Sequence, residues 1–139
     1  MSAPFPARIA KVFRKTITFT GAASAGAVGT VAVATTTGSV LITAGGVLCT
    51  TLLTSAGGGT LTLGTASNAD GLIGLTTATA IDASEWWQDS TPEAQISPAI
   101  VNQLVTGNII LTVGTADITA GVLEFCFYYL PFSSTGNLA

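Results

Sequence analysis

The sequence predicts an all-β protein, an antiparallel β-sandwich of jelly-roll or Greek-key type with an extended N-terminal arm. Three observations carry that expectation. The 139 residues include 23 threonines and 16 glycines, joining β-branched stiffness to turn-forming freedom, as short strands with tight loops require. Apolar residues come in short runs bounded by Gly, Asn and Asp, and no leucine pattern of helical period persists over three turns, so no long helix is expected. Near the end the alternation is strict: Leu123, Phe125, Phe127 and Tyr129 fall on one face, Glu124, Cys126 and Tyr128 on the other. That period of two marks a central core strand.

Residues 1–15 differ in kind from the rest and are expected to form a basic N-terminal arm, with residues 16–139 as one sandwich domain. Two prolines within residues 1–6 oppose helix, whereas residues 7–15 have the spacing of about two helical turns, marginal in isolation. Strands are then expected over residues 28–34, 39–43, 47–53, 60–63, 109–113 and 122–130. Turns are expected at Thr37-Gly38, Gly57-Gly58-Gly59, Asn68 to Gly71, Gly107-Asn108 and Ala120-Gly121. The segment Leu61-Thr-Leu-Gly-Thr-Ala66 recurs as Leu111-Thr-Val-Gly-Thr-Ala116 at an offset of fifty residues. With the apolar residues that follow each copy, this is the grammar of two equivalent hairpins, expected on opposing sheets.

Charge excludes several functions. The chain is 48% hydrophobic and 8% charged, and lacks histidine. Its four cations, Arg8, Lys11, Arg14 and Lys15, precede residue 16, and its seven carboxylates begin at Asp70. A body without Lys or Arg cannot neutralise phosphates, so no nucleic acid is expected as partner. Histidine triads and histidine metal sites are excluded. No apolar run reaches the length of about 18 residues that a spanning helix needs, so no membrane partner is expected. The stretch after Lys15 is too short and polar for a secretory signal.

Candidate chemistry is sparse. Asp82, Glu85, Asp89 and Glu93 flank Trp86-Trp87, which raises a glycosidase pair beside an aromatic sugar platform, or an oxygen-ligand calcium site. The spacing fits no calcium loop, and the plainer reading is a connection with one tryptophan in the core and the other partly exposed. Trp86 and Trp87 are therefore candidates for an interface. Gly57-Gly58-Gly59 lacks the Lys-Ser/Thr of a phosphate loop and reads as a hairpin tip. Cys49 and Cys126 read as buried thiols, with a disulfide between them left open. No catalytic residue, metal ligand or cofactor site is assigned.

Taken together, the basic arm, the Gly/Ala/Thr-rich body, Glu85-Trp86-Trp87 with Asp89, Pro92 and Pro98, the segment 108–116 and the closing Leu123 to Phe132 resemble head decoration, or cement, proteins of tailed bacteriophages. The likeness covers roughly residues 28–132. It implies a jelly-roll-like sandwich, commonly a homotrimer, on the outer surface of the virion capsid, with the major capsid protein as partner and no enzyme activity. It also implies that the arm reaches capsid subunits or a neighbouring protomer, through Phe5, Arg8, Lys11, Phe13, Arg14 and Lys15. The class that competes with this is a trimeric tail or fibre module binding a receptor or glycan through Trp86 and Trp87.

Overall fold

The structure, a computed structural model, describes residues 10–96 and 100–139. These form an all-β, antiparallel sandwich; the one helical element among them is a 3-10 turn at Ala78–Ala80. Its strands are β1 (Lys11–Thr18), β2 (Gly29–Ala34), β3 (Thr36–Thr37), β4 (Val40–Thr54), β5 (Thr60–Thr65), β6 (Asn68–Thr77), β7 (Trp86–Trp87), β8 (Gln103–Val105), β9 (Ile109–Gly114), β10 (Ala120–Pro131) and β11 (Asn137–Leu138). One sheet has the order β1-β10-β4-β7, with β8 also on β4, and the other has the order β2-β9-β5-β6. The small β3–β11 pair lies outside both. Set β3 and β11 aside and let β7 and β8 share one place, and the sheets read 1-8-3-6 and 2-7-4-5 in chain order. Only the β5–β6 step stays within a sheet; every other step crosses the sandwich.

The first strand departs from expectation. Residues 11–18 pair with β10 from Lys11↔Tyr129 to Thr18↔Val122, so the sandwich takes in Lys11, Phe13, Arg14 and Lys15, and the described part of residues 7–15 is strand, not helix. The physical reason is burial. In the pleat Phe13 and Ile17 point inward and are 8% and 6% exposed, and the Phe13 ring stacks on Phe127 at 6.2 Å. Two isolated helical turns would offer no such burial. Phe5 and Arg8, the other expected arm contacts, lie outside the described residues.

The expected runs at 39–43 and 47–53 are one strand of 15 residues. Gly45 and Gly46, which fall between the two expected runs, lie inside it because β4 passes between two rings. An added Cβ at Gly45 would lie 2.6 Å from Phe127 Cδ1 on the inner face, and one at Gly46 would lie 3.1 Å from Trp86 Cε3 on the outer face. A bulge beside Tyr128 and Tyr129 resets the alternation, so that Val40 and Ile42 before it and Val47 and Cys49 after it all point inward.

The repeat is real in sequence but is built differently from two hairpins. Its first copy forms the β5–β6 hairpin, with the turn at Ala66-Ser67 while Asn68 to Gly71 belong to β6. Its second copy forms β9, after which the chain leaves for β10 in the other sheet. The two copies are neighbours in one sheet: Leu61↔Val113, Thr62↔Thr112 and Leu63↔Leu111. Each position thus faces the duplicate of its mirror position about a local two-fold at Thr62 and Thr112. Gly57-Gly58-Gly59 carries the chain from β4 to β5, between sheets, and is not a hairpin tip. Ala120-Gly121 opens β10 at an irregularity in its pairing with β4.

The two inner faces are unlike. The β1-β10-β4-β7 sheet supplies the rings, Phe13, Phe125, Phe127, Tyr129 and Trp87, and the other sheet supplies aliphatic chains such as Val31, Leu61, Leu63, Ile73, Ile109 and Leu111. Large against small side chains let the layers interdigitate at the density of protein interiors. Tyr129 also fastens β11: its hydroxyl donates to Asn137 Oδ1 and accepts from the Leu138 N–H at 3.2 Å.

Overpacking makes the glycine pair testable. Gly45→Ala is expected to destabilise the protein by about 1–3 kcal/mol and Gly46→Ala by less, because Trp86 has solvent on one side into which to shift. Equilibrium urea unfolding of the two variants measures both values and their order.

Candidate functional site

The outward residues of the two sheets differ in emphasis, although Leu75 on β6 of the second sheet is 65% exposed. On the β2-β9-β5-β6 sheet, Thr30, Thr112 and Thr62 stand in one row across three strands, the water-facing threonine that the composition anticipates. On the other sheet the row Leu130–Leu41–Leu104 crosses β10, β4 and β8. Next to it stand Tyr128 and Val12, paired across β10 and β1. Leu104 is 53% exposed, Val12 47%, Tyr128 43% and the neighbouring Phe132 42%. Scattered apolar residues on a surface are ordinary, whereas a contiguous patch marks a contact site.

A cleft of about 300 Å³ opens beside this patch. Its floor is low because Ala44, Gly45 and Gly46 carry little or no side chain. Trp86, Tyr128, Leu48 and Ile96 form apolar walls, and Arg14 and Glu124 supply polar groups at the rim. The face therefore combines aromatic surface, a recess and both signs of charge.

The two tryptophans have separate duties. Trp87 is fully buried, and its Nε1–H donates to Thr76 Oγ1 at 2.8 Å. The Thr76 hydroxyl in turn donates to the Gly74 carbonyl. This chain of bonds ties β7 of one sheet to β6 of the other through an otherwise apolar core. Trp86 is half-buried and lines the cleft. Alternation within a two-residue strand sends adjacent side chains to opposite faces, so one of the pair is structural and Trp86 alone is open to a partner.

Two of the carboxylates beside them bind local backbone. The Glu85 carboxylate accepts the Asp82 N–H and the Asp89 carboxylate accepts the Thr91 N–H; each caps local backbone. Among the described residues no group of three or more Asp, Glu, Cys or His side chains is placed to hold a metal ion, and no helix is long and apolar enough to cross a membrane.

Cys49 and Cys126 are both free. Cys49 pairs with Leu123 and Cys126 with Gly46, which places the thiols at different heights and on opposite faces of the same sheet. Cys49 is buried with its Sγ 3.2 Å from the Thr51 carbonyl. Burial pushes its thiol above the ordinary range, and the charges of Asp82 and Glu85 push the same way against a backbone hydrogen bond from Leu53. Cys126 is half-buried in the cleft.

Comparison of the chain with family models, with curated proteins and with solved structures finds no match.

Sequence reasoning named Trp86 but missed the row of Leu41, Leu104 and Leu130. Those residues come from three distant segments, and only the strand register brings them together.

Two outcomes are expected. Thr76→Val leaves the Trp87 N–H buried without an acceptor and costs about 1–3 kcal/mol, measured by chemical denaturation. In the native protein a thiol reagent at neutral pH modifies Cys126 and spares Cys49, so Cys126→Ser abolishes the native reaction, while both thiols of the parent react after unfolding.

Proposed function

We propose that this chain is a structural virion protein, a capsid decoration protein that binds the outer surface of a tailed-phage head and stabilises it by bridging major capsid proteins. The observation that carries the reading is the apolar patch on the outer face of one sheet, set against the threonine row that crosses three strands of the other. A sandwich with one adhesive face and one wetted face is suited to lie on a shell, with the wetted side outward. The strand order 1-8-3-6 over 2-7-4-5 supports a jelly roll, the fold that the resemblance implies. Such a protein needs no chemistry: contacts made only with the assembled shell favour that shell by mass action. Self-association, as a trimer in the resembling proteins, multiplies the attachment points and raises avidity through effective concentration.

The role proposed for the basic segment changes with the strand assignment. Lys11, Arg14 and Lys15 act from a strand edge, and Phe13 belongs to the core. Truncation before residue 10 is expected to leave a folded protein, whereas removal of residues 1–15 deletes part of β1 and uncovers Phe127.

The glycan-binding reading keeps one support, the cleft walled by Trp86 and Tyr128 with Arg14 and Glu124 at its rim. It loses Trp87, whose indole is spent inside the core.

Co-sedimentation with empty tailed-phage heads tests the proposal. The parent protein is expected to pellet with heads, and Leu104→Ser combined with Tyr128→Ser is expected to lower its affinity at least about tenfold, the equivalent of 1.4 kcal/mol, without loss of fold by circular dichroism. Unchanged affinity of that variant would remove the apolar face from the reading. Binding of the parent to a glycan array in place of heads would favour the alternative.

A further inference from the structure

We infer that copies of this chain associate edge to edge, the basic β1 edge of one against the acidic β7 edge of the next, in a directional contact between unlike edges. The inference rests on the proposed self-association and names the surfaces that perform it. All cations of the described residues, Lys11, Arg14 and Lys15, lie exposed on β1, and β1 pairs only with β10, so it ends its sheet. Four of the seven carboxylates lie at the other end of that sheet. Ser84 and Glu85 bond to Cys49 of β4, Trp86 pairs with Leu48, and Glu93 exchanges both backbone hydrogen bonds with Trp86. Asp82 and Glu93 are exposed there, and Glu85 and Asp89 partly so. Trp87 bonds to Thr76 of β6, which places β6, the bearer of Asp70, on this same side of the sandwich.

Arg14 and Lys15 are level with the acidic pole, whereas Lys11, in the row of Tyr129 and Ile42, is level with β8. The register gives one continuous row, Thr16↔Glu124↔Leu48↔Trp86↔Glu93, and beside it Lys15↔Phe125↔Val47↔Trp87. Four strand steps separate the ends of the first row, about 19 Å at the usual spacing. A shift along that row therefore carries the basic edge of one copy onto the acidic edge of another at the same height. No ion pair within the molecule joins Lys11, Arg14 or Lys15 to a carboxylate among the described residues, and Glu124, one strand in from β1, leaves the basic edge net positive.

Charge also decides which contacts are barred. Exposed strand edges template pairing with other chains, and cations on them oppose like-to-like approach. Two β1 edges repel, as do two β7 edges, so the symmetric dimer through either edge is disfavoured while the unlike contact is attracted. Contacts between unlike surfaces generate a ring where the rotation closes. The occupant of each edge is thus a second copy of this chain.

The experiment is a set of charge reversals read by mass in solution. Lys11→Glu/Arg14→Glu/Lys15→Glu on one edge, and separately Asp82→Lys/Glu85→Lys/Asp89→Lys/Glu93→Lys on the other, are each expected to reduce the oligomer to monomer. Both sets combined in one chain exchange the poles and are expected to restore the parent mass. Neutral Gln substitutions at Lys11, Arg14 and Lys15 serve where reversal impairs folding, and are expected to weaken assembly without changing the circular dichroism spectrum. The parent oligomer is expected to dissociate as ionic strength rises to about 1 M, where the screening length falls to about 3 Å. A parent that is monomeric overturns self-association itself. An oligomer that ignores both reversals and salt overturns the edge contact alone and leaves the apolar face as the candidate surface.

Discussion

Where β4 runs between the ring of Phe127 and the ring of Trp86, two consecutive residues must do without side chains, and Gly45 and Gly46 meet that demand. The rest of the sandwich depends on this passage. It lets β4 continue unbroken along β10, and the pair they form is the spine on which β1, β7 and β8 are hung. It lets Phe127 enter the core far enough to receive the stacked ring of Phe13. On the outer side it seats Trp86 and leaves the shallow floor of the cleft. One local steric condition thus sets the core, the edge order and the contact face together.

The same passage explains what could and could not be read from the chain. Alternation in β10 was legible because a core strand buried on one face writes its orientation into every second residue. The expected runs beginning at 28, 60 and 109 were legible because turn residues bound them. The runs at 39–43 and 47–53 read as two because Gly45 and Gly46 interrupt the apolar pattern, and only a ring on each side distinguishes a close approach from a break. The cations of β1 concealed a strand whose buried residues are two, Phe13 and Ile17. The repeat misled in a more instructive way. Near-identical words predict similar local structure, but partner choice is a tertiary matter, and the second copy is followed by a crossing between sheets. The short strands β3, β8 and β11 owe their existence to hydrogen bonds from distant segments and had no local signal strong enough to announce them. At the site, the division of labour between Trp86 and Trp87 followed from alternation, whereas the leucine row needed the register of three strands.

In the proposed association, the outer faces and the edges would divide the work between two kinds of force. Apolar burial is strong, short in range and indifferent to partner, so a leucine and tyrosine face supplies affinity. Segregated charge is weaker per contact but acts over the screening length and distinguishes one edge from the other, so it supplies orientation and selectivity. A body with 8% charged residues has few with which to encode direction. Placing three on one edge strand and four at the opposite end of the same sheet extracts the greatest polarity from that small number.

The local two-fold between β5 and β9 has a consequence for how the chain reaches its fold. A segment that pairs with its own near-duplicate can satisfy the same register with the same segment of another molecule, so strand exchange between chains costs little in side-chain matching, the difference being Leu63 for Val113. In the finished sheet β5 is held between β9 and β6, and β9 between β2 and β5, and no vacancy remains. The exposure is one of timing. The β5–β6 hairpin closes over a short loop, while β9 must arrive from fifty residues along the chain, and closure over long separations is slow. Until it arrives, the open side of β5 accepts any copy. The concentration of unfinished chains, and not any ambiguity of pattern, decides whether that sheet closes within one molecule or across two.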